Sequence, residues 1–202
     1  MLDFKYMSRA ALIGLVFLAF SCTKSTTSKT SNNSKGTSSM EVSGKQAVIQ
    51  TSMGTIEMEF LPEVAPKHVE NFIKLSKDNF YDGTTFHRVI PGFMVQGGDP
   101  NSKNLEARNT HGTGGPGYNI DAEFSDQKHT RGIVSMARSS DPNSAGSQFF
   151  VVVQDSVHLD GQYTAFGKVT KGMDVVDEIV KTPRDGRDNP LTPVIIKDIE
   201  IK

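Results

Sequence analysis

Arg88 is the first side chain in this sequence whose position calls for a chemical explanation. On an ideal strand it shares a face with Phe86 and Ile90, because side chains alternate between the two faces. A guanidinium on an apolar strand face either carries its charge to the sheet edge along its methylene stem or serves a site. Placement alone leaves both readings open. Gln96 offers an amide with both a donor and an acceptor. Phe93 and Met94 follow close behind Arg88 in the sequence, with Phe150 and Leu159 among the apolar residues further along, although aromatic residues and Met on strands are usually core. Gln148 taken alone reads as an ordinary strand residue.

Other chemistries lack their residues. No nucleophile with a base, and no pair of carboxylates, stands out. His87, His111, His129 and His158 lack the spacing of a zinc site. The string Gly112-Thr113-Gly114-Gly115-Pro116-Gly117 looks like a phosphate-cradling loop only superficially. It has neither the Lys-Ser/Thr ending nor a helix after it.

The elements that must position these residues are mostly strands. Ile56, Met58 and Phe60 alternate with Glu57 and Glu59, the period-two pattern of a strand with one wet face. Ser52-Met53-Gly54 joins that strand to Ala47-Val48-Ile49 as a hairpin. Further strands are expected over residues 85–90, 93–97, 132–137, 148–153, 165–169 and 194–201. One helix is expected over residues 66–77, with Pro66 in its first turn and Val69, Phe72, Ile73 and Ser76 on one stripe. A second is expected over residues 173–181, with Val175, Val176, Ile179 and Val180 inward and Pro183 as its stop. Many short strands with Gly/Pro turns and few helices imply a sandwich or a closed barrel.

The chain of 202 residues suits one sizeable core. Residues 1–21 read as a signal peptide: Lys5 and Arg9 precede an apolar run from Ala10 to Phe20, about half the length that spans a bilayer. The only Cys, Cys22, ends that run, and Ala19-Phe20-Ser21-Cys22 resembles a bacterial lipobox. Lipidation of Cys22 after cleavage is therefore expected, with an anchored chain at the membrane. Residues 22–44 form a Ser/Thr-rich segment too polar to offset its ordering entropy, a linker with a root-mean-square span of about 25 Å. Residues 45–202 form the remaining domain. They carry 17 Lys/Arg against 21 Asp/Glu, a balance that argues against a nucleic-acid partner.

The string Phe86-His87-Arg88-Val89-Ile90-Pro91-Gly92-Phe93-Met94-Val95-Gln96-Gly97-Gly98-Asp99 resembles the cyclophilin signature, with Val95 at a position that is often Cys. The likeness continues in Gly132-Ile133-Val134-Ser135-Met136-Ala137, Gly146-Ser147-Gln148-Phe149-Phe150, His158-Leu159-Asp160-Gly161, Tyr163 and Phe166-Gly167-Lys168-Val169. It runs in order through residues 46–202. The resemblance implies a mainly β fold, an eight-stranded closed antiparallel barrel capped by two helices, whose filled interior leaves a peptide site on the outer surface. It implies a peptidyl-prolyl cis/trans isomerase that needs no metal or cofactor, acts as a monomer, and assists folding of exported proteins. A proline-peptide binding module or chaperone with incidental turnover is the alternative. By the same resemblance Arg88 is catalytic, and Phe93, Met94, Gln96, Ala137, Arg138, Gln148, Phe150, His158, Leu159 and Tyr163 contact substrate. Arg138 stands where many relatives have Asn, and Tyr163 where many have His. His158 stands where cyclosporin-sensitive relatives have Trp, which implies weaker cyclosporin binding. Residues 101–111 look longer than in compact bacterial relatives, and read as a surface loop or as a tuner of substrate choice.

Overall fold

The alternation in Thr55–Phe60 becomes strand β2, with Ile56, Met58 and Phe60 buried. β2 pairs antiparallel with β1 (Gln46–Thr51) through the expected tight turn, where Thr51 Oγ1 donates to the Gly54 carbonyl at 2.6 Å. In the computed structural model the described residues are 44–202. The signal peptide, Cys22 and nearly all of the linker lie outside them. Six further strands follow: β3 (Arg88–Ile90), β4 (Met94–Gly97), β5 (Ile133–Met136), β6 (Phe149–Val152), β7 (Ala165–Lys171) and β8 (Ile196–Ile201). All join one antiparallel sheet in the order β3-β4-β6-β5-β7-β2-β1-β8.

The sheet curls so that its two ends approach, but the continuous closure expected from the sequence is replaced by a short seam. The segments ahead of β3 and β8 meet in a single antiparallel bridge, Thr85 with Ile195. Phe86 N donates to Val194 O at 2.9 Å, and Ile196 N to Thr84 O at 2.8 Å. The bridge ends in an irregularity, since Ile196 O accepts from Gly83 N at 2.8 Å while Ile196 N donates to Thr84 O, and the N–H and C=O of Ile195 face Ser52 on the other side, at 3.1 and 2.9 Å. The same irregularity corrects the expected placement of Arg88. Residues 86 and 87 lie outside the ladder, so Phe86 points into the core beside Val89, while Arg88 is exposed and Ile90 belongs to the outer face.

Helix α1 (Pro66–Lys77) starts on Pro66, which loses no intrahelical bond there, and buries Val69, Phe72, Ile73 and Ser76. Helix α2 (Met173–Val180) buries Val176, Ile179 and Val180, with Val175 half-buried. It follows Gly172, whose φ of +87° suits glycine and whose Cα lies so close to the Thr55 carbonyl that a side chain would clash.

Alternation along the strands divides the apolar residues into two clusters. The interior one is built around Phe72, whose ring meets Phe60, Tyr81, Phe149 and Phe166 at 5.9, 5.0, 5.4 and 5.3 Å. The outer one gathers Met94, Ile133, Phe150, Val152, Leu159 and Ala165.

Three buried histidines make the fold sensitive to acid. Burial is the main cause lowering the pKa of His68, His87 and His129 from 6.5, with His87 falling to about 4. Between those values the unfolded chain binds protons that the folded chain refuses. The stability they contribute is therefore complete above about pH 6.5 and is lost as pH falls below it, for His87 down to about 4. Urea unfolding should give a clearly lower midpoint at pH 4.5 than at pH 7.5. Equal midpoints would show that protonation of these rings does not oppose folding.

Candidate active site

Strand register aligns the outer face into rows. Arg88 pairs with Gln96, Gln96 with Phe150, Phe150 with Ser135, and Ser135 with Ala165. Ile90, Met94 and Val152 form the next row. Directly opposed residues share a face, so a cation, an amide and an aromatic ring stand side by side across β3, β4 and β6. The tight turn before β4, where Phe93 N donates to Ile90 O at 3.0 Å, delivers Phe93 to the rim. The 3-10 turn Val157–Leu159 brings Leu159 against Met94 and Phe150 from another part of the chain.

These residues enclose an outer cleft of about 420 Å³. Arg88, Phe93, Met94, Gln96, Ala137, Arg138, Phe150, His158, Leu159 and Tyr163 all line it. Its base is aromatic and aliphatic: Tyr163 meets Phe150 edge-on at 5.8 Å, and His158 packs on Phe93 at 5.4 Å. Arg138 lies over the Tyr163 ring at 4.6 Å and donates to the carbonyls of Gln162 and Ser139. Neither Arg88 nor Arg138 forms a salt bridge among the described residues.

Gln148 falls outside this cleft and acts on it through Gln96. Arg88 Nη1 donates to Gln96 Oε1 at 3.5 Å, Gln96 Nε2 to Gln148 Oε1 at 2.9 Å, and Gln148 Nε2 to the Gly114 carbonyl at 2.8 Å. The last acceptor is a backbone carbonyl, which can only accept. That fixes both amide orientations and leaves Gln96 presenting its oxygen to Arg88. The glycine-rich string dismissed as a nucleotide loop thus anchors the relay. It also walls a neighbouring cleft of about 620 Å³ that Gln148 lines.

Sequence reasoning missed the support beneath Phe150. The His129 ring stacks on Phe150 at 6.4 Å with 20° between planes. Its Nδ1 lies 3.2 Å from Asp160 Oδ1 and its Nε2 3.0 Å from Ser135 Oγ. The His129 backbone N–H also donates to Asp160, which holds that carboxyl below its ordinary value. With Nδ1–H donating to the carboxylate, Nε2 accepts from the serine hydroxyl, so one tautomer is selected. Strand register places Ser135 on this face, but no sequence pattern ties it to residue 129. Gln162, also on the cleft wall, carried no signal of its own.

Arranged this way, the cleft can take a compact apolar group beside a fixed hydrogen-bonding cation. It holds no paired acid and base for proton transfer. Residues 46–201 match the family described as cyclophilin type peptidyl-prolyl cis-trans isomerase/CLD. A peptidyl-prolyl cis-trans isomerase of Synechococcus elongatus is 45% identical over 153 residues, covering 76% of this chain and 97% of its own length. Peptidyl-prolyl cis-trans isomerase B of Bacillus subtilis is 50% identical over 121 residues, 59% of this chain and 78% of that protein. The crystal structure of a Cryptosporidium parvum cyclophilin type isomerase, obtained in the presence of the dipeptide Ala-Pro, is similar with a TM-score of 0.71. It is 36% identical, and the match covers 78% of this chain and 98% of that one.

The glutamine relay generates a prediction about binding. Gln148→Leu removes the acceptor for Gln96 Nε2 and should weaken a proline peptide about fivefold by calorimetry, the worth of roughly one net hydrogen bond. An unchanged affinity in a normally folded variant would show that Gln96 is held without the relay.

Proposed function

The chain belongs to the cyclophilin-type peptidyl-prolyl cis-trans isomerase family, and from that premise we propose that Arg88 is the catalytic residue of an isomerase serving exported polypeptides. The activity is rotation about Xaa-Pro bonds. Its barrier, about 18–20 kcal/mol, comes from resonance that the twisted peptide must give up. No bond to a proton or nucleophile changes, which suits a cleft without acid–base pairs. In the twisted state the imide nitrogen regains a lone pair. A guanidinium hydrogen bond to it stabilises that state more than either planar ground state. The observation that carries the assignment is the position of Arg88. It stands at the rim of the apolar cleft without a carboxylate partner among the described residues, steadied through Gln96 and Gln148. Met94, Phe150 and Leu159 are suited to the proline ring, and Gln96 to a substrate carbonyl or amide.

Timing cis-to-trans conversion of a short Xaa-Pro peptide tests this reading. Arg88→Ala should lower kcat/KM about 100- to 1,000-fold, the usual loss of one transition-state donor. Arg88→Lys should restore little, because a point charge replaces the planar fork. Since no proton moves and the guanidinium stays charged, the wild-type rate constant should be flat from pH 7 to 9. Peptide binding without acceleration would return the chain to the binding-module alternative.

The cellular setting rests on the N-terminal residues. The short apolar run, Cys22 and the polar linker support export, cleavage and lipid anchoring, with the domain tethered to a bacterial membrane. The absence of an acidic residue after Cys22 supports the periplasmic face of the outer membrane in a Gram-negative cell. Each buried methylene of an acyl chain contributes about 0.8 kcal/mol, so several chains anchor stably. Expression in its bacterial host with Cys22→Ser should move the protein from the membrane to the soluble fraction. Equal membrane retention of wild type and variant would sink the anchor.

A further inference from the structure

Arg88 and Gln96 border a second cleft of about 420 Å³ as well as the apolar one. Its other walls are two loops, the stretch 101–111 and the segment 183–190. Hydrogen bonds hold both in place. At the base of the first loop, Asp99 is fully buried and accepts from the backbone of Asn101 at 2.8 Å, Gly114 at 3.1 Å, and Gly112. The second loop is held to β3 by Val89 N donating to Asp188 O at 2.8 Å.

The loops are also tied to each other. Arg108 Nη2 donates to Asp185 Oδ2 at 3.0 Å and to Asn189 O at 3.1 Å. Arg187 Nη1 donates to Asn109 O at 3.2 Å, and Asn189 Nδ2 to His111 Nδ1 at 2.9 Å.

Charge in the cleft is one-sided. Arg88, Arg108 and Arg187 line it against a single carboxylate, Asp185. That carboxylate is already occupied, accepting from Arg108 and from the backbone N–H groups of Arg187 and Asn189. Arg187, like Arg88, forms no salt bridge among the described residues. His87 also lines the cleft, 4% exposed, and neither ring nitrogen has a hydrogen-bond partner.

We propose that this cleft is an anion subsite of the isomerase, taking a carboxylate or phosphate carried by the substrate peptide close to the proline in the apolar cleft. The inference rests on the isomerase reading, because Arg88 and Gln96 join the two clefts and let one peptide enter both. At about 3.3–3.6 Å per extended residue, the anionic group lies within about three residues of the proline.

The test uses the full-length chain and matched Xaa-Pro peptides carrying Glu or Gln, and phosphoserine or Ser, at each of three positions on either side of the proline. The subsite predicts an anionic-to-neutral ratio in kcat/KM of about five- to tenfold at one position, declining as salt screens the charges. The better of Glu and phosphoserine identifies the group. Arg187→Gln should bring the ratio close to one, Arg187→Lys should keep most of it, and Arg108→Gln should reduce it. A ratio near one at every wild-type position, or an unchanged ratio in Arg187→Gln and Arg108→Gln, overturns the subsite while leaving the isomerase reading intact. Absence of turnover with every peptide would instead count against the isomerase reading. The same ratios read as Kd by calorimetry then decide the subsite separately.

Discussion

Everything in this molecule depends on strands that bury both faces. Along β4 and β6, Val95, Phe149 and Val151 belong to the interior around Phe72, while Met94, Phe150 and Val152 belong to the outer cluster. A period of two leaves no freedom in that division, since shifting the register by one residue would exchange the two sets. The filled interior sets the position of the sheet, and the sheet then sets the spacing of the outer row. Arg88, Gln96 and Phe150 are consequently neighbours by strand pairing, before any contact between their side chains is considered.

Polar contacts refine what the register provides. The run from Arg88 through Gln96 and Gln148 ends on a backbone carbonyl, and its direction follows from that one acceptor. Beneath Phe150, the His129 ring is oriented by Asp160 and Ser135, so the cleft wall is backed by a satisfied polar group. The site thus joins a rigid apolar base to an oriented donor, which is what stabilising a twisted, uncharged peptide bond requires. The loops around 101–111 and 183–190 extend the same construction beyond Arg88. Their mutual hydrogen bonds make a second wall of residues far apart in the chain.

Much of this was legible in the residues themselves. Alternation in 55–60 located β2, the apolar stripe of 66–77 located α1, and the string from Phe86 to Asp99 carried the resemblance that singled out Arg88, Phe93, Met94 and Gln96. These signals are local, because a strand or helix writes its period into adjacent residues. Reading failed where the period broke. Phe86 and Arg88 were expected on one face, but the chain at 86 and 87 leaves the ladder and turns Phe86 inward.

The sequence alone determined the element types, the one-sided burial along β2 and, through the resemblance of the string from Phe86 to Asp99, the residues to examine for a site. Only the tertiary structure decided the seam at Thr85 and Ile195, the placement of Gln148 behind Gln96 rather than in the cleft, the support of Phe150 by His129, and the cleft between two loops. Each of these joins residues distant in the chain through single hydrogen bonds or ring contacts. Such contacts have no period and leave no pattern in neighbouring residues. Folding the sheet is what brings them within reach.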